Sequence, residues 1–218
     1  MAAYIDDPVT TTDELIPSGE TSSYRSDPYA LSEFALSRKV PEYVSRAKEV
    51  RELEKARQEG TIPDELAQAY ELVNTAMNLE QSVESLAKTT SVASTIYANK
   101  PGDGSAREQA ASCQRVLGGG ANIALEYATK RYRSNVINWG MLPFVTSAEA
   151  AKKIDTFDYI WIPNVRNTLL GTTDNFDAYV INTNKKEKIT LHLGYLSDEE
   201  KDIIAKGCLI NYYAAENN

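Results

Sequence analysis

Side chains that hold metals or make cross-links are scarce in this sequence. Its 218 residues include two cysteines, one histidine and three methionines. Cys113 and Cys208 stand far apart in no ligand-like spacing, and His192 has no second imidazole to work with. No disulfide scaffold, zinc finger or iron–sulfur cluster can be assembled from that inventory alone. If the chemistry needs a metal, another chain or domain must bring it. Long apolar runs are also missing. Nothing approaches the roughly 20 uninterrupted apolar residues of a bilayer span, and Met1 to Asp7 carries two aspartates where a secretory leader would be basic and apolar. This is the pattern of a cytoplasmic chain with no membrane partner. Positive charge is in deficit as well, with 23 Lys and Arg against 31 Asp and Glu, a net charge of -8 and a pI near 4.9. That balance opposes the phosphate-neutralising attraction behind nucleic-acid binding, so nucleic acid is not an expected partner.

What is present describes an ordinary globular chain, 42% hydrophobic and 25% charged, read as one unit over residues 1–218. Met1 to about Pro28 is polar and turn-rich, and composition reads it as a disordered leader. From Tyr29 to about Leu86 the pattern is helical. Tyr43, Ala47 and Val50 fall one turn apart, Gly60 closes that segment, and Leu66, Tyr70, Val73 and Met77 keep the 3.6-residue period behind Pro63. The expectation is an inserted helical pair over about 40–86. Val92 to Ala98 then reads as a strand, and a helix is expected from Ser105 to the glycines at 118–120. A short strand around Ala121, a helix around Ser134 to Trp139 and Pro143 as punctuation follow. Strands recur at Tyr159, Ala178 and Lys188, the last two joined by a turn at Asn184 to Lys186, and Ser197 with Glu200 forms a capping box for a final helix. The expected class is α/β with a mixed sheet.

The sharpest local feature is Gly102-Asp103-Gly104-Ser105-Ala106-Arg107-Glu108, between a predicted strand and a predicted helix. Glycines there let backbone N–H groups converge, and a helix start adds partial positive charge, so an anion or oxyanion would be stabilised at Ser105. The same letters also spell an S-x-x-E capping box, which needs no function at all.

Taken in order, Thr11-Thr12-Asp13-Glu14-Leu15-Ile16-Pro17-Ser18-Gly19, then Tyr24-Arg25, the Gly102 to Glu108 loop, Leu117-Gly118-Gly119, and Asn135 with Gly140-Met141-Leu142-Pro143 resemble the swivelling C-terminal domain of the aconitase superfamily, which includes the small subunits of isopropylmalate isomerases. The resemblance implies a swivelling β/β/α domain that completes a hydro-lyase active site over a partner bearing a [4Fe–4S] cluster, in cis or as a large subunit. It implies a small hydroxy polycarboxylate as substrate. Ser105 falls on the family's catalytic base, which takes the proton next to a carboxylate while hydroxide leaves toward the cluster. Arg107 and Arg25 fall on its carboxylate-binding arginines, Asp13 on its active-site aspartate, and Thr12 and Gly104 on the residues beside them. No metal ligand is implied on this chain.

Physical chemistry supports such roles independently of the likeness. A serine hydroxyl is a hopeless base in water and serves only where N–H donors, a helix terminus and guanidinium groups stabilise its alkoxide. Planar guanidinium forks suit polycarboxylates better than lysines do. The chain also departs from the family pattern, with Ala106, Gln109 and Glu14 where aconitases often have serine, histidine and histidine. Those departures place citrate in doubt and keep a second expectation alive, a carboxylate-binding or regulatory module of the same fold that has lost turnover.

Overall fold

The computed structural model describes residues 1–17 and 19–216; Ser18, quoted in the motif above, lies outside the described residues. The segment expected to be helical contains the two longest helices. Helix α3 covers Tyr43–Gln58, after the short α1 (Thr12–Leu15) and α2 (Pro28–Ser32), and it buries Tyr43 and Ala47. Lys55 and Arg57 sit in its last turn, where the carbonyl end favours cations. Helix α4, Asp64–Met77, opens behind Pro63 with two acidic residues and buries Leu66, Ala69, Tyr70 and Val73 along one stripe. It stops at Asn78, which takes the left-handed conformation common at helix ends. A third helix, α5 (Val83–Thr89), capped by Ser82, follows the expected pair.

The main sheet is mixed, as expected, with strand order β1-β3-β5-β6-β9-β8-β7. Its parallel half contains β1 (Ala3–Ile5), β3 (Ser94–Ala98), β5 (Gly119–Ala124) and β6 (Leu142–Val145). Its antiparallel half contains β7 (Tyr159–Trp161), β8 (Asn175–Asn182) and β9 (Lys185–His192). The β8–β9 hairpin closes through Thr183–Asn184, one residue earlier than the turn letters suggested, because Asn182 pairs with Lys185. A separate two-stranded ladder joins β2 (Thr10–Thr11) to β4 (Pro101–Asp103). Helices α6 (Arg107–Val116), α7 (Lys130–Asn138), α8 (Ala148–Ala151), α9 (Val165–Leu170), α10 (Asp198–Ala205) and α11 (Leu209–Glu216) complete the order. The capping box read at Ser197 and Glu200 is formed at α10.

Strand alternation divides the core between the two faces of the sheet. On one face Ile96 and Ala98 pack with Ile5, Leu15, Tyr43, Cys113 and Tyr132. On the other, Tyr97 joins Ile123, Phe144, Phe176 and Ile203. A third cluster, Leu66, Tyr70, Leu86 and Ala87, belongs to α4 and α5 and receives Trp161 from β7. The two outermost strands approach each other where the Phe157 N–H donates to the Met1 carbonyl at 2.9 Å.

Two expectations need correction. The N-terminal stretch is not a disordered leader. Ala3 and Ile5 are buried in β1, and Thr12, Leu15 and Ile16 are buried just beyond it. Composition misled because short buried strands are surrounded here by polar turns. Pro143 is not punctuation either, since it lies inside β6 paired with Asn122. A proline is tolerated there because β9 pairs with β6 only at Val145 and His192, leaving no ladder bond for the missing N–H. The corrected N-terminus is directly testable: Ile5→Ala should cost about 2–5 kcal/mol in denaturant unfolding, whereas a disordered leader would register no change.

Candidate functional site

The loop expected to carry chemistry is built by the small ladder. β2 runs parallel to β4, with Thr10 opposite Pro101 and Thr11 opposite Asp103, and the Thr10 N–H donates to the Lys100 carbonyl at 3.0 Å. Segments distant in sequence, Thr11-Thr12-Asp13 and Gly102-Asp103-Gly104-Ser105, are thereby set side by side.

Two glycines make this approach possible. Gly104 has φ +128, and a Cβ placed on it would lie 2.3 Å from the Thr12 hydroxyl oxygen. Thr12 is only 3% exposed, so this residue, expected to help bind substrate, supports the loop from within. Gly102 has φ +97, and a Cβ there would lie 2.3 Å from the Tyr132 ring. Tyr132 is a fixed platform, fully buried, its hydroxyl accepting from Gln114 Nε2 at 3.0 Å and Asn122 Nδ2 at 2.9 Å. Burial drives its phenol pKa well upward, so it stays neutral. The Thr129 hydroxyl, which caps α7, also donates to the Gly102 carbonyl at 3.2 Å.

Ser105 is exposed at the end of this loop. The capping box that its letters spelled does not form. The N-cap of α6 is Ala106, which has no side chain to cap with, and the helix begins at Arg107 rather than Ser105. Glu108 is engaged elsewhere, accepting from Trp139 Nε1 at 3.1 Å. Ser105 is therefore not consumed by helix initiation and stands at the first-turn N–H groups of α6, which have no carbonyl a turn earlier. The Arg107 guanidinium folds back and donates through Nη1 to the Gly104 carbonyl. A guanidinium has five N–H donors, so this bond leaves others to grip a carboxylate.

Asp13 lies in α1, one residue after the threonine that meets Gly104, but it is exposed and paired with Arg38 Nη1 at 2.5 Å. Arg38 also holds Glu20 at 2.6 Å. Sequence reading missed Arg38; the signal was the Arg38-Lys39 doublet directed at an acidic N-terminal stretch. Lys39 bridges Asp7 at 2.7 Å and Glu14 at 3.4 Å. Glu14 is a structural residue here. Its carboxylate accepts from the Thr11 N–H at 2.7 Å and the Thr11 hydroxyl at 2.9 Å in a complete capping box. Desolvation pushes its pKa up, but the Thr11 bonds and Lys39 outweigh that and hold it below the usual carboxylate value.

Arg25 is less closely tied to the loop. It follows a 3-10 turn at Ser22–Tyr24 and is exposed. That turn contacts α2, and α2 packs along α6. Among the described residues no hydrogen bond joins it to that loop. The remaining motif residues are architectural: a Cβ on Gly140 would lie 1.8 Å from the Gly207 carbonyl oxygen. His192 is half-buried beside Asn175, its Nδ1 2.6 Å from the amide oxygen.

As a donor set for a metal cluster the chain's own residues do not fit. Among the described residues no three His, Cys, Asp or Glu side chains converge, and burial pushes the Cys113 thiol up to about 12, which disfavours a thiolate ligand. Also among the described residues, no helix is long and apolar enough to cross a membrane.

Two predictions follow from the geometry. Gly104→Ala must strain the backbone and displace Thr12, costing about 1–3 kcal/mol of unfolding free energy, whereas Gly19→Ala, with no atom within 4 Å of its new methyl group, should stay within about 0.5 kcal/mol of wild type. Because the Glu14 pKa is depressed on folding, its stabilising effect is complete above about pH 4.5 and fades as pH falls through the folded value. The thermal midpoint of Glu14→Ala should therefore lie below wild type at neutral pH and converge with it in acid.

Comparisons with known proteins agree with this architecture. Residues 44–149 match the aconitase C-terminal domain family model, a span that includes Gly104, Ser105 and Arg107. A crystal structure of 3-isopropylmalate dehydratase from Methanocaldococcus jannaschii superposes with a TM-score of 0.54 at 19% identity, covering 98% of this chain and 92% of that one. No curated protein sequence gives a significant match.

Proposed function

We propose that this chain, whose residues 44–149 match the aconitase C-terminal domain family model, belongs to that family and is the part of a cytoplasmic aconitase-like hydro-lyase that supplies a serine base and substrate-binding arginines to a cluster-bearing partner. The observation that carries the reading is the β2–β4 pairing, which sets the threonine–aspartate stretch against the glycine–serine loop. The substrate class is a small hydroxy polycarboxylate. A [4Fe–4S] cluster on the partner would supply Lewis-acid chemistry; among the described residues of this chain no group of side chains converges to hold it.

In dehydration, Ser105 Oγ takes the proton from the carbon beside a carboxylate, the C–H electron pair becomes the new C=C bond, and hydroxide departs from the neighbouring carbon. Rehydration reverses each transfer. The serine oxygen can hold that negative charge because the first-turn N–H groups of α6 and the helix terminus stabilise it, and because Arg107 adds a permanent positive charge. Arg107 is anchored through the Gly104 carbonyl, so its remaining N–H groups present a fixed fork to one carboxylate. Arg25, on its exposed turn, serves a second. Two fixed carboxylates determine which C–H bond faces the serine. Thr12 is assigned a positioning role through Gly104. Asp13, with Arg38 and Glu20, forms a polar margin to the substrate side of α1.

A second reading, a carboxylate-binding module without turnover, draws support from Asp13, whose charge is satisfied by Arg38, and from Ala106, which offers no hydroxyl beside the base. One experiment separates the two. With the chain assembled on its cluster-bearing partner and assayed for dehydration of 2- and 3-hydroxy polycarboxylates, Ser105→Ala should reduce kcat by at least about a hundredfold with KM little changed. Undiminished activity in that variant would remove Ser105 as the base. Ligand binding without turnover in the wild type would favour the module.

A further inference from the structure

One guanidinium bridges α1 and the turn that follows it. Arg38 donates through Nη1 to Asp13 at 2.5 Å and through Nη2 to Glu20 at 2.6 Å, so neither acid receives the two-point grip that an arginine gives a single carboxylate. Among the described residues neither carboxylate has a further partner. The two acids are not held alike. Asp13 belongs to α1 and directly follows the buried Thr12 that meets Gly104. Glu20 is exposed, in a turn outside any helix or strand. Arg38 itself is tied to α1. Leu36, two residues before it, is 1% exposed, takes φ +55 although bulky side chains avoid that region, and donates its N–H to the Leu15 carbonyl at 3.0 Å.

Charge makes the difference between the two acids matter. Lys39 is committed to Asp7 and Glu14, so one guanidinium faces two carboxylates, and the trio as it stands is net negative and repels an anion. With Glu20 withdrawn, Arg38 and Asp13 balance and Nη2 is open to another carboxylate. The three side chains are between 44% and 58% exposed, and an ion pair so exposed is weak enough to be exchanged. Resting on the reading of the serine loop as a polycarboxylate site, we propose that Arg38 is a further carboxylate-binding residue of that site and that Glu20 is its internal competitor. A substrate carboxylate displaces Glu20 from Nη2, and the chain with Glu20 in place is the self-inhibited form.

Propane-1,2,3-tricarboxylate, which has no hydroxyl to lose, is the probe, titrated into the isotope-labelled full chain at fixed ionic strength and followed by amide chemical shifts. In the wild type, saturable shifts should appear at Ser105 and Arg107 and also at Glu20. Glu20→Gln should lower the fitted Kd about two- to fivefold, and Arg38→Gln should raise it about fivefold. Glu187→Gln makes the same change in charge and frees Lys153 on the antiparallel half of the sheet, so it should leave the Kd unchanged. Equal tightening in Glu20→Gln and Glu187→Gln, or a Kd indifferent to Arg38→Gln, would overturn the competitor and leave the serine loop standing. No saturable shift in either the wild type or Glu20→Gln would overturn it too, while the serine loop is judged separately by Ser105→Ala in the assembled enzyme.

Discussion

The reading of the serine loop depends on one steric arrangement, the absence of a side chain at Gly104 where the backbone meets the hydroxyl of Thr12. Two short strands pair there in parallel, and the pairing is possible only because Gly102 and Gly104 adopt positive φ while presenting no Cβ to Tyr132 on one side and Thr12 on the other. A ladder this short has little stability of its own. It is held because both partners are extensions of larger elements: Leu15 and Ile16 anchor the N-terminal segment in the core, and Tyr132 is fixed by two amide donors from α6 and β5.

That arrangement links packing to chemistry. Helix α6 lies over the sheet with Ala110, Ala111 and Cys113 buried, so its N-terminus and the loop before it have a fixed position relative to β3 and β5. Because Ala106 rather than Ser105 occupies the N-cap, the serine is left exposed just before the first turn of α6. Arg107 is folded onto the loop it follows, held at the Gly104 carbonyl without consuming all its donors. The acidic N-terminal turn is balanced in its own way, with Arg38 and Lys39 spread over Asp7, Asp13, Glu14 and Glu20. Those pairs are largely exposed, so their effect is mainly to orient the turn.

Much of this was legible in the residues. The helices with three or more turns of apolar periodicity, α3 and α4, were clear, as were the capped start of α10 and the β8–β9 hairpin. The order of motifs singled out the Thr11–Asp13 and Gly102–Ser105 stretches, which the β2–β4 pairing sets side by side. Other features were hidden for definable reasons. Strands of two or three residues, such as β1, β2 and β4, are too short to show a period, so a buried N-terminal strand read as a leader. Pro143 read as a break because its strand neighbours cannot be seen in sequence. The S-x-x-E letters at Ser105 suggested a cap, yet the chain starts the helix two residues later and gives Glu108 to Trp139. Arg38 contacts Asp13 across an intervening turn, a pairing that only the fold reveals.

The most direct test of the central claim is a nuclear Overhauser measurement on the isotope-labelled chain. Cross-peaks between the Gly104 α-protons and the Thr12 β-proton, with a parallel-strand pattern linking Thr10–Thr11 to Pro101–Asp103, are the predicted result. Assigned resonances for both segments with no cross-peak between them would contradict the account, because the serine loop would then stand apart from the residues said to build its site.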